Sequence, residues 1–111
     1  MDKIKKTVRY NALLHIYGSL LSKTQLAFAD DYFSYDLSLS EIAEANNITR
    51  SAVEDAIKKA LKKLDAFEKQ LKILERNKKI LAIIEKAKDA EGLEKIQLLE
   101  EIERIISSYG I

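Results

Sequence analysis

Cysteine is absent from this 111-residue chain, and with it go disulfides, thiolate zinc sites and cysteine nucleophiles. That lack fits a reducing cytosol. Proline is also absent and glycine occurs only three times, so almost nothing is present to interrupt a helix. Gly18, Gly92 and Gly110 stand isolated, which leaves no glycine-rich phosphate loop. The one histidine, His15, lies mid-helix beside apolar neighbours and reads as a surface or half-buried side chain, because a metal site needs several converging ligands. No apolar run approaches the ~20 residues of a membrane span. The charged start Met1-Asp2-Lys3-Ile4-Lys5-Lys6 leads into Tyr10-Asn11 and helical periodicity, not into an apolar signal core. A soluble, cytoplasmic protein without membrane insertion is expected. Arginine is scarce, 4 residues against 15 lysines, so bidentate recognition of bases or phosphates is thinly supplied.

What is present is apolar and charged in an ordered way. Hydrophobic residues make up 47% of the chain, and its length suits one domain, residues 1–111, burying about two-thirds of the unfolded surface. The net charge of +1 hides segregation: +3 over residues 1–9, −5 over 30–47, +5 over 50–79 and −4 over 89–111. A basic centre between acidic flanks suits phosphate binding, or pairing of those segments across a dimer. Ile4, Val8, Leu13, Leu14, Tyr17, Leu20 and Leu21 recur at three- and four-residue steps and predict a helix from about Lys3 to Leu21. Ser22 caps a second, with Leu26, Phe28, Ala29 and Phe33 inward, ending near Tyr35. No strand alternation is visible.

Residues 38–64 carry the most specific pattern, a helix-turn-helix. Ser40 can cap a short helix whose inner face is Ile42, Ala43 and Ala45. Asn46-Asn47 turn the chain, Ile48 plugs the turn, and Thr49 caps the next helix, whose first buried residue is Val53. Ala43 falls where two crossing helices admit only a small side chain. A second helix held this way can enter a DNA major groove, although the same unit also serves as a packing module.

The fourth helix outruns that duty. Val53, Ala56, Ile57, Ala60, Leu61, Leu64, Phe67, Leu71 and Leu74 share one stripe. Ile80, Leu81, Ile83, Ile84 and Ala87 continue at helical spacing but centre on the opposite face, so the helix either breaks near residues 76–79 or buries different faces along its length. Leu93, Ile96, Leu99, Ile102, Ile106 and Tyr109 define a last amphipathic helix. The expected fold is all-α, five or six helices, with residues 65–111 as a helical extension. Phe67, Leu71, Leu74, Ile80, Ile83 and Ile84 are more apolar surface than one C-terminal helix can cover, and are expected at a homodimer interface.

For nucleic acid the candidates are Arg50, Ser51, Lys58, Lys59 and Lys62 on the open face of the fourth helix. Glu54 and Asp55 occupy its first turns, where carboxylates oppose phosphate and accept only from base amino groups, the cytosine amino group above all. The lysines behind them can hold phosphates, which position without reading sequence. Equally, Glu54 and Asp55 favour a helix N-terminus and can pair with Lys58 and Lys59. Nothing here forms a catalytic constellation. Asp30-Asp31 diverge by 100° on a helix, Glu100, Glu101, Glu103 and Arg104 read as a charged face, and Tyr32, Phe33 and Tyr35 suit a helix end packed on its neighbour better than a stacking platform. No cofactor, metal or enzymatic activity is expected.

Asn11-Ala12-Leu13-Leu14, Leu20 to Gln25, Asp36 to Glu44 and Thr49 to Val53 resemble the YlxM-type family of small bacterial proteins. The likeness covers most of the chain and is clearest from Tyr10 to Leu64. Residues 38–64 alone are also similar to the promoter-reading C-terminal domain of sigma factors. The family resemblance implies an all-helical, regulatory helix-turn-helix protein, linked by gene neighbourhood to the signal recognition particle pathway, with the particle's protein or RNA as partner. The sigma-like motif implies duplex DNA and a dimeric transcriptional regulator instead.

Overall fold

The computed structural model describes residues 3–109. Six α-helices follow one another: α1 Lys3–Tyr17, α2 Lys23–Phe33, α3 Leu39–Asn46, α4 Arg50–Leu71, α5 Ile73–Asp89 and α6 Gly92–Ser108. No strand occurs among the described residues. The chain divides into two compact units, one up to Leu71 and one from Lys72 onward.

Helix starts in the first unit are set by hydroxyl caps. Ser22 accepts from the Gln25 amide and the Gln25 side chain returns a bond to the Ser22 amide. Ser38 and Glu41 form the same reciprocal box at α3, satisfying donors that a helix start otherwise leaves orphaned. The cap of α3 is thus Ser38 and not Ser40, since only Ser38 has a glutamate three residues on. Asn47 ends α3 at φ 53°, ψ 44°, a left-handed turn that asparagine tolerates; the Ile48 amide then donates back to the Ala43 carbonyl at 3.1 Å. Thr49 Oγ1 accepts from the Ala52 amide at 3.1 Å and opens α4. The first helix is shorter than its periodicity suggests, because the chain tightens into a 3₁₀ turn over Gly18–Leu20.

Packed together, these helices close a core in which Leu13, Ala29, Ile42, Val53, Ala60 and Leu64 have no exposed surface. Ala43 and Ile57 are buried as expected. Three expectations fail: Ala45 is exposed, Leu61 is only half-buried, and Ile48 is 40% exposed. With Ile42 and Val53 already closing the α3–α4 contact, Ile48 stays at its rim. Tyr17, nearly inaccessible, donates to Glu68 at 2.7 Å and packs against Phe67 at 5.9 Å between ring centres. Asp65 on α4 takes two bonds from α1, from Arg9 at 3.0 Å and the Tyr10 hydroxyl at 2.8 Å. Burial and that bond raise the Tyr10 pKa. Phe33 is buried between Tyr10 and Tyr32 while Tyr35 is exposed, so the three aromatics form no platform.

The break after α4 comes at Lys72, with φ 56°, four residues before the stretch in which the sequence suggests it. A change of buried face shows where the two halves differ, not at which residue the backbone turns.

The second unit is a hairpin, α5 and α6 joined by Ala90-Glu91. Gly92 opens α6 at φ 59°, where a side chain would be strained. At the far end Lys79 donates to the Tyr109 hydroxyl at 3.1 Å and that hydroxyl donates to Glu75 at 3.0 Å, fastening the end of α6 to the start of α5. Leu74, Ile83, Ala87 and Ala90 are buried, but no residue of α6 is.

Candidate nucleic-acid interface

The surface of α4 follows from which of its faces the core takes. Val53, Ile57, Ala60 and Leu64 are buried, so at 100° per residue the side chains half a turn away must face outward. Ser51, Lys58 and Lys62 fall within roughly 40° of one another on that outward side, and all are exposed. Lys69 continues the same line and is exposed as well. The sequence reading misses it because Lys69 lies beyond the motif, yet its spacing of seven residues from Lys62 marks it. From Lys58 to Lys69 the row runs for ~16 Å at 1.5 Å per residue.

Other candidates separate from this row. Lys59 lies roughly 80° around the helix from the row's centre. Arg50 borders a cleft of about 310 Å³ that Lys6, Tyr32, Asp36, Ser38 and Glu41 also line, a lining of mixed charge. Lys63 points to α2, donating to Gln25 at 3.1 Å.

Carboxylates in the leading turns are engaged. Glu54 meets Lys58 at 3.3 Å and Asp55 meets Lys59 at 3.0 Å, both one turn apart and solvent-exposed. Such pairs are worth a few tenths of a kcal/mol and are screened by salt, so a phosphate can compete for these lysines. Among the described residues, Lys62 and Lys69 form no pair of this kind.

Elsewhere no chemistry assembles. His15 is exposed beside a shallow surface dip with Asn11, Asp30 and Ser34, and Ser34 already bonds both Asp30 and Asn11. No cluster of three or more metal-ligating side chains occurs among the described residues. No described helix is long and apolar enough to cross a membrane.

Of the residues expected at a dimer interface, Phe67 is half-buried against Tyr17 and Leu71 is 48% exposed. Leu74 and Ile83 are buried and Ile80 and Ile84 half-buried, so the stripe drawn from sequence is largely covered already.

A capped short helix, a left-handed asparagine turn and a second helix with an open face lead to one comparison that decides the family. The profile described as "Putative helix-turn-helix protein, YlxM / p13 like" (UPF0122) matches residues 4–105. The chain belongs to this family. A UPF0122 protein of Clostridium acetobutylicum is 36% identical over 116 residues, covering 97% of this chain and all of the relative. One from Fusobacterium nucleatum is 52% identical over 52 residues, 47% of this chain and 50% of its own length. One from Streptococcus agalactiae is 44% identical over 64 residues, 58% of each. The chain thus spans about half the length of the Fusobacterium and Streptococcus relatives, whereas the Clostridium protein aligns throughout.

Proposed function

We propose that this protein is a non-enzymatic regulator of the signal recognition particle pathway, acting through its helix-turn-helix by contact with the particle's RNA or protein. The observation that supports the reading is the line of Ser51, Lys58, Lys62 and Lys69 on the open face of α4, with Glu54 and Asp55 among its leading turns. Lysines in a row give phosphate contacts, which supply affinity and position without naming a base. Glu54 and Asp55 at the leading turns oppose entry into a DNA groove. A surface of this kind suits the ribose-phosphate backbone of a folded RNA. The pathway comes from the resemblance to the YlxM-type family and its gene neighbourhood.

A second reading, a dimeric DNA-binding regulator, draws on the exposed start of α4, where Arg50 and Ser51 follow the Thr49 cap; helix-turn-helix readers present this part of the second helix to base edges. Binding measured against both the particle's RNA and duplex DNA over a range of salt separates the two. The expected result is RNA binding whose salt slope falls by up to about three units when Lys58, Lys59 and Lys62 are all changed to alanine. Strong discrimination among DNA sequences would favour the second reading, and a triple variant that binds like the parent would make the basic row structural.

A further inference from the structure

The hairpin leaves large apolar side chains in water: Leu81 on α5 is 59% exposed, and on α6 Ile96 is 52%, Leu99 49% and Ile106 39% exposed. They are not scattered. On each helix these residues lie roughly a quarter to two-fifths of a turn past those facing the other helix, Ile83 and Ala87 on α5 and Leu98, Ile102 and Ile105 on α6. In antiparallel neighbours a rotation in the same sense leads to the same side, so both helices turn one apolar face outward together. Counted from the Ala90-Glu91 link, Leu81 is level with Leu99, and half-buried Ile84 is level with Ile96.

We propose that this face binds the same face of a second copy, making a four-helix bundle. Charge selects that occupant and the symmetry. Helix α5 has a net charge of +2 and α6 of −2. A two-fold axis parallel to the helices lays α5 of each copy on α6 of the other, antiparallel, so basic meets acidic twice. The perpendicular two-fold would set like on like. In the favoured arrangement Leu81 packs on Leu99 of the second copy, Ile84 on Ile96, and at the rim exposed Lys78 meets Glu103. Because the hairpin alone carries it, this inference stands or falls separately from the role of α4.

Light scattering after size exclusion of the full chain at tens of micromolar tests it. The parent is expected to run as a dimer and the Ile96→Lys, Leu99→Lys double variant as a monomer with unchanged helical circular dichroism. A monomeric parent, or a double variant that stays dimeric, overturns the proposal. Should the double variant lose helix, charge reversal decides: Lys78→Glu and Glu103→Lys are each expected to weaken the dimer several-fold and together to restore it. Failure to restore rejects this two-fold.

Discussion

Both units are built from amphipathic helices, yet they close to different degrees. Up to Leu71, four helices surround one another, and each long apolar stripe meets more than one neighbour; six side chains there are wholly inaccessible. From Lys72 onward the best-covered side chain, Ala90, keeps 6% of its surface, and α6 contributes none below the level of half-burial. Two helices can cover only the strip along which they touch. A third and fourth are needed before a stripe as wide as that of α6 is enclosed. The first unit therefore spends its apolar residues on holding α4 with one face outward, while the second retains apolar surface of a kind that marks an interaction site.

The largest expected effect contrasts the units directly. Ile57→Lys puts an unpaired charge into a site 5% exposed, which a packed core cannot solvate, and should unfold the first unit at 25 °C. Leu99→Lys, at a site 49% exposed, should leave helicity intact. Circular dichroism of the two variants checks this; equal loss of helix would show that the hairpin is as tightly closed as the four-helix unit. Leu64→Ala should cost about 2–5 kcal/mol in denaturant unfolding through the cavity it leaves. Ala43→Leu, where a small residue sits buried in α3, should cost about 1–3 kcal/mol by overpacking, and an unchanged transition would remove Ala43 from the α3–α4 contact.

The same contrast explains what the sequence made legible. The helix-turn-helix could be read because its signals are local: the hydroxyl at Thr49, two asparagines, and apolar residues whose period leaves one face. The cap expected at Ser40 falls at Ser38 instead, and the signal for it is local too, a glutamate at 41 three residues after Ser38. What could not be read depends on three-dimensional competition for core positions. Ile48 and Ala45 have the right chemistry to be buried, but Ile42, Ala43 and Val53 take the available space. Phe67 looked unpartnered because its partner, Tyr17, lies fifty residues earlier. The left-handed turn at Lys72 has no local signature, since neither glycine nor asparagine stands there. The open apolar surface of the hairpin likewise lies elsewhere than in the expected stripe, because α5 buries Ile83 while α6, unaided, leaves Ile96 and Leu99 open.

Helix capping offers a smaller effect with a pH signature. Ser38→Ala should destabilise the first unit by about 1 kcal/mol while leaving the hairpin untouched. Hydrogen bonds from the Ser38 amide, then its hydroxyl, hold the Glu41 pKa below the ordinary carboxylate value. A lowered folded-state pKa means that the stabilisation is present above the unfolded glutamate pKa and is lost as pH falls through the folded one. Thermal melts from neutral pH into the acid range should show that loss in the parent and less of it in Ser38→Ala. At the alkaline end the sign reverses for Tyr10: its pKa is raised, chiefly by burial, so its contribution is complete below the ordinary tyrosine value and falls as pH rises through the folded one.

The smallest effect on folding is the most informative about α4. Glu54 and Asp55 each hold a lysine one turn along, at 3.3 and 3.0 Å, with both partners in solvent. Removing such pairs costs about 0.2–0.5 kcal/mol each, and both carboxylates lie past the first turn of α4, where the helix dipole adds little. Glu54→Gln with Asp55→Asn should therefore shift the unfolding midpoint little. Its effect on nucleic-acid binding should be larger and opposite in sign, because two negative charges leave the approach to the lysine row and Lys58 and Lys59 are released for phosphate. Tighter RNA binding at low salt, with the gain fading as salt rises, is the expected outcome. If affinity instead falls, the carboxylates take part in recognition themselves, accepting hydrogen bonds from exocyclic amines, and the leading turns of α4 become a reader of bases.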